Sequence, residues 1–232
     1  MDIQTQPVGA IVDGPPARRP ERTRLEGRHI AIVPFEPERH VAALYAASHG
    51  PGLDDPWTYL SVGPFPDEAS FRRTYEELAV KADPLLFALV DPHSGAPLGH
   101  ATYMRIEPAQ RVVEVGNILF TPALARTPAA TEAMYLMARH AFEDLGYRRY
   151  EWKCNALNAP SRRAALRLGF TFEGEFRQHM ISKGRNRDTT WFSLLDTEWP
   201  HAKAAFEAWL APDNFDADGR QKHRLEAIRD ER

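Results

Sequence analysis

The stretch ARTPAATEA, Ala125 to Ala133, sets an arginine, a threonine and a proline between an apolar run and an alanine-rich one. Thr127 is a good N-cap, and Pro128 suits the first helical position, where a missing N–H takes nothing from the helix. A helix that opens out of a loop presents unpaired N–H groups and a partial positive charge to the space before it. Phosphate is the usual guest. Small side chains at Ala129 and Ala130 let an anion approach the backbone, while Arg126 and Thr127 add donors, so the segment outlines a pyrophosphate cradle. An empty helix start uses the same residue types, and only context separates the two.

Other reactive residue types are sparse or unpaired. The single cysteine, Cys154, excludes an internal disulfide framework and a multi-cysteine metal site, which fits a reducing, cytoplasmic compartment. It shares strand parity with Tyr150 and Trp152, the pattern of a small buried hydrophobe rather than a nucleophile. His140, His179 and the other histidines show no ligand spacing, so no metal is expected. The formal net charge of -3 comes from interspersed signs, leaving no broad basic face for nucleic acid or an anionic membrane. The longest early apolar run, Val8 to Val12, is too short for a signal peptide or a membrane span.

The elements that position the junction follow from periodicity. Residues Met1 to about Thr23 mix Pro, Gly, Gln and Arg without period and are expected to form a flexible arm. HIAIVPF, from His29, alternates as a strand, and a helix follows that stops at Gly50. A turn-rich segment then runs to Pro66, where Asp67 can cap a helix to about Val80. LLFALVD, LGHATYMRIE and RVVEVGNILF read as a meander whose first turn is PHSGAP. After Thr127, Ala130, Ala133, Met134, Met137, Ala138, Ala141 and Leu145 share one helical face, and Gly146 supplies the stop. YRRYEWKCN alternates as a half-buried strand, Asn158 caps a short helix ending at Gly169, and terminal strands flank a hairpin tip, KGRNRD. A last amphipathic helix ends near Ala211, and residues 212–232 form a charged tail, disordered or a solvated helix.

From about Arg24 to Trp199 this order resembles the GNAT acyltransferase superfamily, and most closely its Rim-type branch of ribosomal-protein N-terminal acetyltransferases and their small-molecule relatives. In that superfamily a strand runs into a loop of pattern Arg/Gln-x-x-Gly-x-Gly/Ala that holds the pyrophosphate of acetyl-CoA; the matching positions are Arg126, Ala129 and Thr131. A second pattern, Asn-x-x-Ala/Ser with a helix ending in Gly-Phe, matches Asn158, Ser161, Gly169 and Phe170. The loop glycines are replaced by Ala129 and Thr131, and the tyrosine that often protonates the leaving thiolate is replaced by Ala165.

The resemblance implies an α/β fold, one domain over residues 24–211, with a mixed, splayed sheet of six or seven strands flanked by helices. It implies an acyl-CoA-dependent N-acyltransferase, acetyl-CoA being the default donor, that acts by direct attack in a ternary complex without metal. Ile118 and Phe120 would pair with the pantetheine chain, Asn158 would complete the donor site, and Ser161 would hydrogen-bond the sulfur. Glu114 matches the acidic position used as a base through water. Alternation puts it on a face with Gly116 and Ile118, among apolar neighbours that would raise its pKa; an ordinary salt-bridged edge carboxylate is the other reading. Glu151 and Lys153 compete as polar groups on the next strand.

Asp54, Trp57 and Tyr59, in the early loop, either shape the acceptor pocket or anchor the loop. Lys183, Arg185 and Arg187 face an acidic acceptor or the adenosine 3′-phosphate, or form a solvated hairpin tip. Acceptors open to this reading are a small-molecule amine or a protein N-terminal amine, with the protein a monomer or homodimer. A non-catalytic acyl-CoA-binding sensor is the alternative, motivated by the altered loop and the absent tyrosine.

Overall fold

The computed structural model of the chain describes residues 6–53 and 55–231. Among them, eight strands form one open sheet: β1 (Leu25–Glu26), β2 (Ala31–Pro34), β3 (Leu85–Val90), β4 (Pro97–Glu107), β5 (Val112–Phe120), β6 (Arg149–Asn155), β7 (Thr171–Ser182) and β8 (Arg185–Leu195). Their order is β1-β2-β3-β4-β5-β6-β8-β7, antiparallel except where β5 meets β6. The strand beyond the expected six or seven is β1, two residues paired to β2; so short a run carries no readable period.

Six helices flank the sheet: α1 (Pro37–Ser48), α2 (Glu68–Ala79), α3 (Pro128–Arg139), α4 (Ala159–Arg167), α5 (Trp199–Leu210) and α6 (Leu225–Asp230). Alternation in the strands feeds two cores. Leu86 and Ala88 join Leu44 of α1 and Phe71 of α2, whereas Phe87 and Leu89 join Met134 and Met137 of α3 and Phe206 of α5. β3 is therefore buried at every position. Each such large apolar side chain contributes about 1.5–3 kcal/mol.

The expected caps form. Asp67 accepts from the Ser70 N–H at 2.7 Å, Thr127 from the Ala130 N–H at 3.3 Å, and Asn158 from the Ser161 N–H at 3.1 Å. α3 departs from one-sided packing. It is buried from Ala130 through Ala138, because α5 covers its outer side through Trp199 and Phe206 on Tyr135. Glu132 is accommodated there because its carboxylate accepts from the backbone N–H groups of Arg28, His29 and Ile30 at 2.9, 2.6 and 3.2 Å. Beyond Arg139 the helix widens into a π turn over His140–Asp144 and stops at Gly146, whose φ of 79° suits glycine.

Within the expected arm and tail, described residues make specific contacts, and the tail contains the helix α6. Before β1, Ala17 N–H bonds to Pro108 O at 3.0 Å, Arg18 N–H to Leu145 O at 2.8 Å, and the Arg22 guanidinium reaches Ala79 O and Lys81 O. After α5, Leu225 is buried, Trp209 Nε1 donates to Gln221 at 2.8 Å, and Arg229 Nη1 donates to Arg167 O at 3.0 Å. Arginines satisfy carbonyls that other elements leave unpaired, so few apolar anchors suffice to order polar segments.

Two irregularities shape the centre. β5 and β6 pair only from Val112↔Arg149 to Val115↔Trp152 and then part. Just past that point β5 bulges: Thr102 opposes Gly116 but His100 opposes Leu119, and Asn117 has φ 47°. The Thr102 hydroxyl donates to Gly116 O at 2.9 Å and holds the bulge. The extra residue reverses side-chain parity, so Val113 and Val115 before it and Ile118 and Phe120 after it all face the α3 core. Glu114 therefore points away from Ile118, not beside it.

Candidate active site

The parting of β5 and β6 opens the sheet between two cavities. The larger, about 900 Å³, lies at the start of α3 and is bounded by Phe120, Arg126, Thr127, Ala130, Arg163 and Arg167. The smaller, about 510 Å³, is bounded by Tyr59, Met104, Glu114, Lys153, Ser161 and Arg187. Trp152 lines both.

At the α3 start, Thr127 N–H bonds to Leu124 O at 3.3 Å, Pro128 has no N–H, and Ala130 N–H is capped by Thr127. The Ala129 N–H remains as the first-turn donor, and Arg126 stands before it in a left-handed turn of φ 64°. Positive side chains surround this helix start. Arg163 and Arg167 come from α4, and Arg220 from the segment after α5. Arg167 is fixed by donating to Thr131 Oγ1 at 3.0 Å and by lying over the Trp209 ring at 4.9 Å. Thr131 is buried, borders the cavity and accepts from Arg167. The α4 arginines follow a helical spacing visible in sequence; nothing local marks Arg220.

On the other side, a buried ionic ladder crosses the strands. Lys153 Nζ donates to Glu114 at 2.9 Å and to Glu151 at 2.5 Å, and Arg149 bonds both Glu151, at 2.7 Å, and Glu173. Lys153 also lies 3.9 Å from the centre of the Trp191 ring. Glu114 and Glu151 face each other across the parallel pair, yet differ. Burial pushes the Glu114 carboxyl above its ordinary value, outweighing the opposing pull of Lys153 and of Arg105 at 3.6 Å. Burial acts on Glu151 too, but hydrogen bonds from Lys153 and Arg149 prevail and hold it below. Glu114 is thus raised among charges, where apolar neighbours were expected. The sequence marks Lys153 only as a polar group competing with Glu114, and Arg105 not at all, because its partner Glu114 lies on another strand.

Ser161, in the first turn of α4, accepts from Trp152 Nε1 at 3.0 Å and hydrogen-bonds the Cys154 thiol. Asn158 lines the smaller cavity and caps α4. Ile118 borders the smaller cavity and Phe120 the larger, so the backbone after the bulge runs between them. Burial pushes the Cys154 thiol up, against a Ser161 hydrogen bond and the charge of Arg187, which keeps it a protonated hydrophobe.

The loop residues separate. Trp57 is fully buried among Phe65 and Phe71, with Nε1 on Ser48 O at 2.9 Å, and is a loop anchor rather than a pocket wall. Its carbonyl accepts from Lys183 at 2.7 Å, which ties the β7–β8 hairpin tip to the loop. Tyr59 does border the cavity, its hydroxyl on Leu157 O at 3.2 Å. Asp54 lies outside the described residues. Among the described residues no group of three or more His, Cys, Asp and Glu is arranged to hold a metal ion, and no helix is long and apolar enough to cross a membrane.

The sheet thus parts between two parallel strands, with a cation-lined cavity on one side and a raised carboxyl on the other. Residues 29–171 match the sequence profile of the acetyltransferase (GNAT) domain. The crystal structure of a GCN5-related N-acetyltransferase from Brucella melitensis is similar with a TM-score of 0.92 at 48% identity, over 94% of this chain and 99% of that one. That of a Chromobacterium violaceum protein described as a probable acetyltransferase (GNAT family) gives 0.78 at 38% identity, over 84% and 98%. A Bacillus licheniformis protein named Uncharacterized N-acetyltransferase p20 is 26% identical over 144 residues, 61% of this chain and 80% of its own length. The chain belongs to the GNAT family of N-acetyltransferases.

Proposed function

We propose that the protein acetylates a primary amine with acetyl-CoA as donor, the donor occupying the larger cavity and the amine the smaller. The observation that carries this reading is the pair of cavities meeting at Trp152 where β5 and β6 part. The larger cavity suits a phosphate-rich, elongated molecule: Arg126, Arg163, Arg167 and Arg220 are set around an α-helix start, and apolar walls continue toward the gap. Residues from Trp209 onward close it, beyond the portion matched to the family. The smaller cavity has room for a small amine or the first residues of a protein chain, the acceptor type of the Rim-type branch.

Bound acetyl-CoA supplies a thioester carbon at which the new N–C bond forms while the C–S bond breaks and coenzyme A leaves as the thiol. Glu114 accepts a proton from the amine, directly or through one water, and its raised pKa makes it a stronger base than an ordinary carboxylate. Lys153 and Arg105 steady that carboxylate in its charged form. Ser161 would turn its O–H from Cys154 toward the sulfur; a neutral hydroxyl polarises there rather than acting as a strong acid. The β5 backbone beside Ile118 offers main-chain groups to the donor chain.

Release of free thiol from acetyl-CoA in the presence of an amine panel, with mass spectrometry of the products, tests the reading. Acetylated amine in stoichiometric yield with thiol is the expected result. Saturable acetyl-CoA binding without turnover of any amine would instead establish a binding module.

A further inference from the structure

The smaller cavity is unevenly charged. Among the described residues its lining includes Lys81, Arg105, Lys153 and Arg187 against one carboxylate, Glu114. Lys153 is satisfied by two carboxylates, and Arg105 shares Glu114. Arg187 is different. It is half-buried, its Nε donates to Thr189 Oγ1 at 3.2 Å, and among the described residues no carboxylate lies within ion-pair distance of it. A guanidinium held in a cavity with its terminal nitrogens unmatched is a ready fork for an oxyanion.

Its place in the sheet makes the fork relevant to the reaction. Thr189 pairs with Asn155 and Thr190 with Cys154, so Arg187, folded back onto Thr189, stands beside the free end of β6. Its charge reaches Cys154, next to Ser161 and the gap. An acceptor whose amine meets Glu114 therefore has this cation within the same cavity. A polyamine or aminoglycoside brings further positive charge to a lining that already carries an excess of it, whereas an amine bearing an anion completes the pairing.

Resting on the transfer reading above, we infer that the acceptor is a primary amine that also carries a carboxylate or phosphate group, and that Arg187 selects it by pairing with that group. The test uses matched amines that differ in the anion alone: α-amino acids against their carboxamides, and phosphoethanolamine against ethanolamine, with spermidine as a polycationic control. kcat/KM is measured for each pair with the wild type and with Arg187→Gln, because the ratio between proteins cancels the intrinsic basicity of each amine.

The anionic member of at least one pair is expected to lose ~10–100-fold in Arg187→Gln through a higher KM, its neutral partner and the KM for acetyl-CoA staying unchanged. Arg187→Lys should restore part of the loss, and both variants should melt with the wild type. The carboxylate and phosphate pairs report separately which anion is preferred. Calorimetric titration of the acetylated anionic product gives a second readout: tighter binding to the wild type than to Arg187→Gln. Acetylation of spermidine or the neutral amines as efficient as that of their anionic counterparts, or a preference unchanged in Arg187→Gln, overturns the inference while leaving acetyl transfer intact. No transfer to any amine defeats the transfer reading and this inference together.

Discussion

The two cavities hold their charges in different ways. Around the larger one, Arg126, Arg163 and Arg220 project from a loop, a helix surface and the C-terminal segment, each at the edge of solvent. Around the smaller one, Glu114, Lys153 and Glu151 have side chains no more than 9% exposed and are bonded across strands. Exposed cations can be removed one at a time with little cost to the fold, because water screens what is left. Removing one member of a buried ladder leaves its partners desolvated and unmatched. Donor recognition should therefore be graded and tolerant, and the acceptor side brittle.

The largest effect expected from this contrast is on Glu114. Glu114→Gln should lower kcat by ~10²–10⁴-fold while acetyl-CoA raises the melting temperature as it does for the wild type. The pH profile sharpens the assignment. Since burial raises the Glu114 pKa, wild-type kcat/KM should fall on acidification through that raised value, and the variant's residual rate should lack this limb. The stability linkage has the opposite sense: the favourable contribution is complete below the unfolded carboxyl's pKa and is lost as pH rises through the raised folded one. Wild-type turnover in Glu114→Gln would remove the carboxylate from the reaction.

Next in size is the ladder itself. Lys153→Ala removes the buried ammonium shared by two carboxylates, leaving Glu114 only Arg105 and Glu151 only Arg149, and should cost up to about 3–5 kcal/mol in denaturant unfolding. Arg163→Ala, the contrasting change on the donor side, should unfold within about 0.5 kcal/mol of the wild type yet weaken acetyl-CoA binding by ~10-fold. Equal losses of stability in the two variants would erase the distinction between the cavities. The smallest effect belongs to Ser161→Ala, where one neutral hydrogen bond contributes on the order of 1 kcal/mol, so turnover should drop by several-fold. A loss matching that of Glu114→Gln would reverse their ranking.

The same contrast explains what could be read from the chain. Helix-start chemistry is local: Thr127, Pro128, Asp67 and Asn158 lie within a few residues of the groups they cap, and all act as their positions suggest. Alternation likewise marked Tyr150, Trp152 and Cys154 as the buried side of β6. The acceptor side depends on register, which is not local. A bulge at Asn117 turns the face of β5, and no periodicity reveals that Glu114 and Ile118 then point to opposite sides. Lys153 looks like a solvated strand residue until β5 is laid beside β6. Trp57 shows the converse, a loop aromatic with the composition of a pocket wall that forms the core under α1 and α2. The contacts of the tail were not legible because they are mostly polar, with Arg229 on the α4 carbonyls doing what an apolar face does elsewhere.

Donor and acceptor are expected to approach one gap from opposite faces of the sheet. A crystal structure of the protein with coenzyme A and an acceptor amine tests it most directly. The pyrophosphate is expected against Arg126 and the Ala129 N–H, the sulfur between Ile118 and Ser161, and the amine on the Glu114 side. A pyrophosphate bound in the smaller cavity beside Arg187, with the α3 start empty, would contradict the account.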